Sequence, residues 1–222
     1  MASVRGCHRM PLDREWFARH PVPVAHDLVG AWIEVDRDGL RVRARIVETE
    51  AYGGMEDGAS HATMYQVGRE TLGHQPGVLY MQFAYGMHTM TNIVSHDPEM
   101  LGAVLLRAAE DPVEGIETAR LRRGHRDKDL LVGPGNLSRG LGTHLSDTLK
   151  PLGADSALWL CHGESVAQVL ASPRIGISRA IDVPWRFFDR MSGSVSKHRR
   201  GIPVDPSGLE AIVNAPGPTL SR

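Results

Sequence analysis

The segment RVRARIVETEAY at residues 41–52 ends in two carboxylates, Glu48 and Glu50, set two residues apart on a face that begins as hydrophobic core. Read as a strand, Val42, Ala44 and Ile46 point one way and Arg41, Arg43 and Arg45 the other, so the apolar face runs on into Glu48 and then Glu50. An ionised group where a core face ends costs several kcal/mol unless it is paired or opens into a cleft. Such surroundings also raise its pKa toward values useful for proton transfer. The plainer alternative is a strand that simply emerges into water at Glu48.

The elements around this strand follow from local patterns. Helical signals at residues 13–20 and 24–28 lead into an AWIEV strand at 31–35 and then the long strand. Gly53, Gly54, Gly58 and the polar stretch to Gln75 predict a long loop, of the kind that carries function or is disordered. Residues 78–84 and 87–95 are strand-like runs hinged at Tyr85-Gly86, which makes a hairpin, and AVLLRAA at 103–109 is an apolar run of strand length holding one charge, Arg107. A helix is predicted with Asp111 as N-cap, Pro112 at its first position, Glu114 three residues after the cap and Gly124 as its stop. GPGNLSRGLG at 133–142 reads as a turn feeding a short helix, and 157–161 and 185–188 as late strands. From Gly201 onward, Pro203, Pro206, Pro216 and Pro218 predict a tail without fixed structure, so the domain is expected over residues 1–200 and the tail over 201–222.

A chain of 222 residues, 41% hydrophobic, has the length of one large domain. Cys7 and Cys161 are far apart and form no CxxC pair, so neither a disulfide framework nor a zinc ribbon is expected, which fits a reducing compartment. No apolar run approaches bilayer length and the N-terminal stretch lacks a signal-peptide core, so a cytoplasmic protein is expected, with no membrane partner. The formal charge of −1 argues against an indiscriminate polycation. Of 25 Lys+Arg, only Lys128, Lys150 and Lys197 are lysines; guanidinium suits bidentate phosphate contacts, although genome composition alone would produce the same bias.

Eleven histidines raise the question of metal, yet there is no HExxH and no histidine pair at helical ligand spacing near a carboxylate, so neither a metal nor a cofactor is expected. His162-Gly163-Glu164 matches half of a zinc-deaminase signature whose P-C-x-x-C half is missing. Gly133-Pro134-Gly135 is a weak anion site without a P-loop lysine.

Taken together and in order, PLDREWFARHPVPVAHDLVG (11–30), ARIVETEAYGG (44–54), SH (60–61), PGVLYMQFAYGMHTMTN (76–92), AVLLRAAEDPVEG (103–115), GPGNL (133–137), PRIGI and WRFF resemble the alkyladenine (3-methyladenine) DNA glycosylase family. The resemblance runs from about residue 11 to about residue 200. It implies roles residue by residue. Glu50 matches the general base that activates water for attack on C1′ of an extruded nucleotide, and Arg107 the arginine that helps hold that water and the flipped nucleotide. Tyr52 and His61 match the residues that sandwich the base, Asn92 the side chain that screens its exocyclic groups, and Ile175 a backbone carbonyl that contacts the water. Tyr85, with Met87 two residues on, matches the wedge that fills the gap left in the duplex.

Physics makes these roles sensible. A base inside a duplex must be rotated out to be reached, and the unstacking cost of a few kcal/mol is offset by an inserted side chain and by stacking in the pocket. Electron-poor alkylated purines gain from aromatic faces. An oxocarbenium-like transition state is served by one anion that both takes a proton and stabilises positive charge. Glu48, roughly 6.6 Å from Glu50 at ~3.3 Å rise per residue, is expected to support rather than to react, because acid–base pairs bracket the bond from opposite sides. Residues 1–127 contain no lysine, so no Schiff-base strand cleavage is expected.

Departures from the family pattern bear on substrate range. Gln82 stands where an aromatic pocket wall is usual, Asn136 replaces a usual lysine and removes a phosphate contact, the 63–75 loop lacks a Thr-Pro-Arg-Asn run, and Ser178 replaces a glycine. The expected fold is α+β, one domain with a curved, mostly antiparallel sheet flanked by helices. The expected protein is a monomeric, monofunctional glycosylase that hydrolyses alkylated purines out of double-stranded DNA, associated with the nucleoid through that DNA. The alternatives are a hydrolase of a specialised adduct or free nucleoside, and a non-catalytic damaged-DNA-binding protein; the presence of Glu50, Arg107 and Asn92 argues against the last.

Overall fold

Thirteen residues of alternating type form one strand, β2 (Leu40–Tyr52), and the rest of the sheet is arranged around it. The computed structural model describes residues 10–84, 86–197 and 199–213. The first half of β2 pairs with β1 (Trp32–Arg37), which in turn pairs with β6 (Leu158–Cys161). The second half pairs with β5 (Ala103–Ala109) on one side and β8 (Arg186–Asp189) on the other. Beyond β5 lie β4 (His88–Val94) and β3 (Leu79–Ala84); beyond β8 lie β7 (Val169–Ser172) and β9 (Ile202–Val204). All these pairings are antiparallel. This is the α+β architecture expected from the sequence, an open sheet of nine strands among the described residues with helices packed on it.

The core is where the sheet meets α2 (Pro21–Asp27), whose Val22, Val24 and Ala25 are fully buried. Each such valine contributes about 1.5–2 kcal/mol of transfer free energy. Thr49 points out of β2 into this layer and donates its hydroxyl to the Ala25 carbonyl at 2.6 Å, so that the strand's second face is also satisfied. A register shift between Ile46 and Glu48, and another between Glu48 and Thr49, bend β2 where it leaves β1 for β5 and β8.

Four expectations change. The stretch taken as a loop holds two short helices, α3 (His61–Met64), capped by the Ser60 hydroxyl, and α4 (Gln66–Leu72), packed so closely that a Cβ on Gly68 would sit 2.5 Å from the His61 carbonyl. Helix α5 begins not at Asp111 but at Ile116, spanning Ile116–Arg122 after Gly115. Its expected first turn is taken by β2: Val113 donates to the Arg43 carbonyl at 3.0 Å and Arg43 donates to Glu114 at 3.0 Å. Strand pairing outcompetes the capping signals. The expected tail is docked as far as residue 213, because β9 pairs with β7 and α7 (Leu209–Val213) buries Leu209 and Ile212. Residues 214–222 lie outside the described ones. Cys161, at the end of β6, is disulfide-bonded rather than an isolated thiol, since sequence distance does not report which segments meet.

Gly115 offers a test of that strand competition. Its φ is +78° and a Cβ there would lie 1.9 Å from the Arg41 carbonyl oxygen, so Gly115→Ala should cost about 3 kcal/mol, a Tm fall of roughly 6–12 °C. Gly124→Ala is the control, with φ +72° but open space around the added methyl, and should cost only about 1 kcal/mol. Equal losses in thermal melts would show that close approach to β2 contributes nothing.

Candidate active site

Both acids of β2 are fully buried, and the register shifts bring them to a common guanidinium. Arg107, from the centre of β5, donates from Nε to Glu48 Oε1 at 2.9 Å and places Nη1 3.1 Å from Glu50 Oε2. A single arginine in an otherwise apolar strand is thus the counter-charge for two carboxylates.

The two acids then diverge. Glu48 carries four bonds: Oε1 also accepts from Arg186 Nε on β8 at 2.7 Å and from the Ser196 hydroxyl at 2.7 Å, and Oε2 accepts from the Ser196 N–H at 2.7 Å. Burial on its own would push the Glu48 carboxyl up, but the guanidiniums of Arg107 and Arg186, with the Ser196 bonds, outweigh it and hold the group below the ordinary carboxylate range. Glu50 carries fewer bonds. Its Oε2 also accepts from the Tyr52 hydroxyl at 2.8 Å and its Oε1 accepts the Ile175 N–H at 2.7 Å. Among the described residues Oε1 has no second donor, which leaves it capacity for a water.

Glu50 lies immediately behind the wall of a cleft of about 1350 Å³, since Tyr52, Arg107 and Ile175, its three partners, all line that cleft. His61, Gln82 and Asn92 line it too, so the six candidate residues read from β2, α3, β3, β4, β5 and the segment after β7 converge on one space. The order of elements explains how: β5 and β8 flank β2, β4 lies beyond β5, and α3 follows β2 directly.

His61 is held by both ring nitrogens, with Tyr80 Oη 2.6 Å from Nδ1 and Gln82 Nε2 2.9 Å from Nε2. Burial pushes its pKa down from the ordinary histidine value, so the ring is neutral near pH 7. Burial likewise pushes the Tyr80 hydroxyl up to about 12, and raises Tyr52 well above its ordinary value, reinforced by the adjacent Glu50 charge. Asn92 spends its amide nitrogen on the Tyr80 carbonyl at 3.1 Å. Asn136, at the start of α6 (Pro134–Leu141), also lines the cleft and turns its amide back to the Val132 carbonyl at 2.7 Å. Met87 stands 72% exposed on the β3–β4 turn, whereas Tyr85 lies outside the described residues. Ile175 meets Glu50 through its N–H, a contact separate from the carbonyl-to-water contact that the resemblance implies.

Several participants were not singled out by sequence. Arg186 and Ser196 complete the shell of Glu48, and Tyr80 fixes His61. Arg186 had a signal related to that of Arg107, a cation opening the buried strand RFFD, which also ends in Asp189. Ser196 and Tyr80 had none. Among the described residues no group of three His, Cys, Asp or Glu is placed to hold a metal ion, and no helix is long and apolar enough to cross a membrane.

The chain is similar to known proteins over most of its length. The chain is 40% identical over 197 residues to a protein of Chlorobaculum parvum, covering 86% of this chain and 93% of the relative. It is 40% identical over 210 residues to one of Chlorobaculum tepidum, covering 90% and 98%, and 37% identical over 192 residues to one of Carboxydothermus hydrogenoformans, covering 85% and 100%. All three are provisionally named 3-methyladenine DNA glycosylases. Residues 15–192, from α1 (Arg14–Phe17) through β8, match the methylpurine-DNA glycosylase family, and the chain belongs to that family.

Proposed function

We propose that this protein is a DNA N-glycosylase that hydrolyses the bond between an alkylated purine and its deoxyribose, the first step of base-excision repair. The observation that carries the reading is the Glu50 carboxylate, 3.1 Å from Arg107 Nη1 and set behind the wall of a cleft able to admit a base. In this reading Glu50 takes a proton from the water that attacks C1′ and its charge offsets the oxocarbenium character of the transition state. Arg107 orients that carboxylate, and Ile175 holds its other oxygen.

Tyr52 and His61 offer aromatic faces to the extruded base. A His61 kept neutral by burial suits a substrate that carries positive charge, since an imidazolium would repel it. Asn92 screens the base's exocyclic groups, and Gln82, bonded to His61, sets a polar rather than aromatic wall beside them. Met87, exposed on the β3–β4 turn, and Tyr85 act as the wedge that fills the vacated stack. Double-stranded DNA with a damaged purine is the substrate partner.

The test is incubation with a panel of lesion-bearing duplexes, followed by alkali to convert abasic sites into breaks. A glycosylase without strand cleavage produces breaks only after alkali. Breaks before alkali would assign Schiff-base chemistry to this protein, and Lys197, the lysine in the cleft wall, is the amine positioned for it. Release from free modified nucleosides but not from duplexes would favour the nucleoside hydrolase instead.

A further inference from the structure

We propose that Arg174 and Asp57, a buried ion pair outside the cleft wall, are positioning residues that set the geometry of the Glu50 carboxylate. The inference rests on the glycosylase reading for its kinetic consequence, but not for its structural one.

The pair is bidentate: Arg174 Nη1 donates to Asp57 Oδ2 at 2.6 Å and Nη2 to Oδ1 at 2.8 Å, with both side chains at most 1% exposed. Nη1 also donates to the Ala51 carbonyl at 3.0 Å, the peptide between Glu50 and Tyr52. The guanidinium carbon lies 4.8 Å from the Tyr52 ring centre and 5.2 Å from the Trp185 ring centre, so the planar cation rests against both rings. The next residue along the chain, Ile175, is the one whose N–H holds Glu50 Oε1. Asp57 meanwhile accepts from the Gly53 and Ala59 N–H groups, each at 3.0 Å, and so ties down the segment that runs into Ser60 and His61.

Three pieces of chain that share no local sequence signal are therefore joined at one guanidinium: the end of β2, the segment carrying His61, and the segment after β7. Two of the three groups that touch Glu50, the Tyr52 hydroxyl and the Ile175 N–H, are located by it. A buried ion pair is a poor source of stability, because hydrophobic residues of similar volume serve as well or better. What apolar packing does not reproduce is a directional tie to the Ala51 carbonyl and a fixed distance to two donors. Displacement of reacting groups by about 1 Å costs on the order of 10²-fold in rate.

The test uses the full chain with both charges removed together, Arg174→Met with Asp57→Asn, so that no lone buried charge is left behind. Amide hydrogen exchange and single-turnover base release are then measured beside duplex affinity. The expected result is a folded variant in which the Ile175 N–H exchanges at least about tenfold faster while amides in the centre of β5 are unchanged. Base release falls about 10²-fold, with duplex affinity within about threefold of the parent. Arg174→Lys, with Asp57 kept, should likewise keep the affinity and recover only part of the rate, since an ammonium cannot donate to both carboxylate oxygens and Ala51 in one plane. Unchanged exchange at Ile175, or faster exchange spread evenly over the sheet, overturns the proposal. Absence of base release by the parent would sink the glycosylase reading, and the exchange measurement would still decide the role of the pair.

Discussion

Glu50→Gln should abolish base release, by about 10⁴-fold in single turnover, while affinity for a lesion-bearing duplex stays within a few-fold. The size follows from two losses at one atom pair. A carboxamide cannot accept the proton of an attacking water, which as general base catalysis is worth about 10²–10⁴-fold. It also removes the negative charge beside the developing oxocarbenium ion, worth about 10²–10³-fold in comparable sites, and the two effects overlap because one group supplies both. Binding is spared because the residues expected to grip the base and the duplex keep their places: His61, Asn92 and Met87 make no bond to Glu50, and the Tyr52 hydroxyl can turn from donor to acceptor toward the new amide nitrogen. The amide oxygen can still accept the Ile175 N–H, while its nitrogen faces Arg107 Nη1, donor against donor, at the position now 3.1 Å away. Arg107 retains its bond to Glu48, so the fold should survive. Turnover within tenfold of the parent would remove Glu50 as the base.

Arg107→Met is expected to be the most disruptive substitution for the fold. It leaves Glu50 without its cation and Glu48 with Arg186 alone, in a site where all four side chains are nearly or fully buried. Breaking a buried pair from one side costs about 3–5 kcal/mol, which for a chain of this size lowers Tm by roughly 6–20 °C. The loss has a defined pH dependence. Because the folded state holds the Glu48 carboxyl below its ordinary value of 4.5, its contribution to stability is fully present above that value and disappears as pH falls through the lower folded value. After burial, which opposes it, the Arg107 charge is the first cause of that shift, followed by the charge and hydrogen bond of Arg186 and the Ser196 bond. The gap in Tm between parent and variant should therefore be widest at neutral pH and should narrow once the medium is acidic enough to protonate Glu48 in both. Melting curves followed by circular dichroism from pH 3 to pH 7 check this. A gap that stays constant with pH, or a loss under about 2 °C, would mean that Arg107 does not carry the two acids.

The two experiments separate chemistry from support. Glu48 and Glu50 are the same residue type, two positions apart on one strand and bound to one arginine, yet Glu48 is also paired with a second guanidinium, Arg186, while Glu50 has Arg107 alone among the described residues. In the proposed reading that difference suits Glu50 to proton transfer and Glu48 to holding Arg107 in place.

Much of this was readable in the chain because it depends on short-range geometry. The two-residue period of RVRARIVETEAY fixes which side chains share a face, and β2 spans Leu40–Tyr52 as that period requires. The hairpin of β3 and β4 and the strand AVLLRAA follow from apolar runs bounded by turn residues, so Arg107, Gln82 and Asn92 were assigned to strands correctly. The family motifs added His61 and Ile175, which no periodicity identifies. What could not be read were the outcomes of competition between distant segments. Capping signals at Asp111 lost to pairing of residues 113–114 with Arg43, and a proline-marked tail found a free edge on β7 and a place for Leu209 and Ile212 in the core. The partners that separate Glu48 from Glu50 come from residues 172–197, more than 100 positions away, and the pair behind Tyr52 joins Asp57 to Arg174 across 117 positions. Neighbouring residues determine which way a side chain points, because backbone geometry repeats locally. Which charge it meets depends on how whole strands are ordered in the sheet, and that order is settled by burying apolar area across the entire chain.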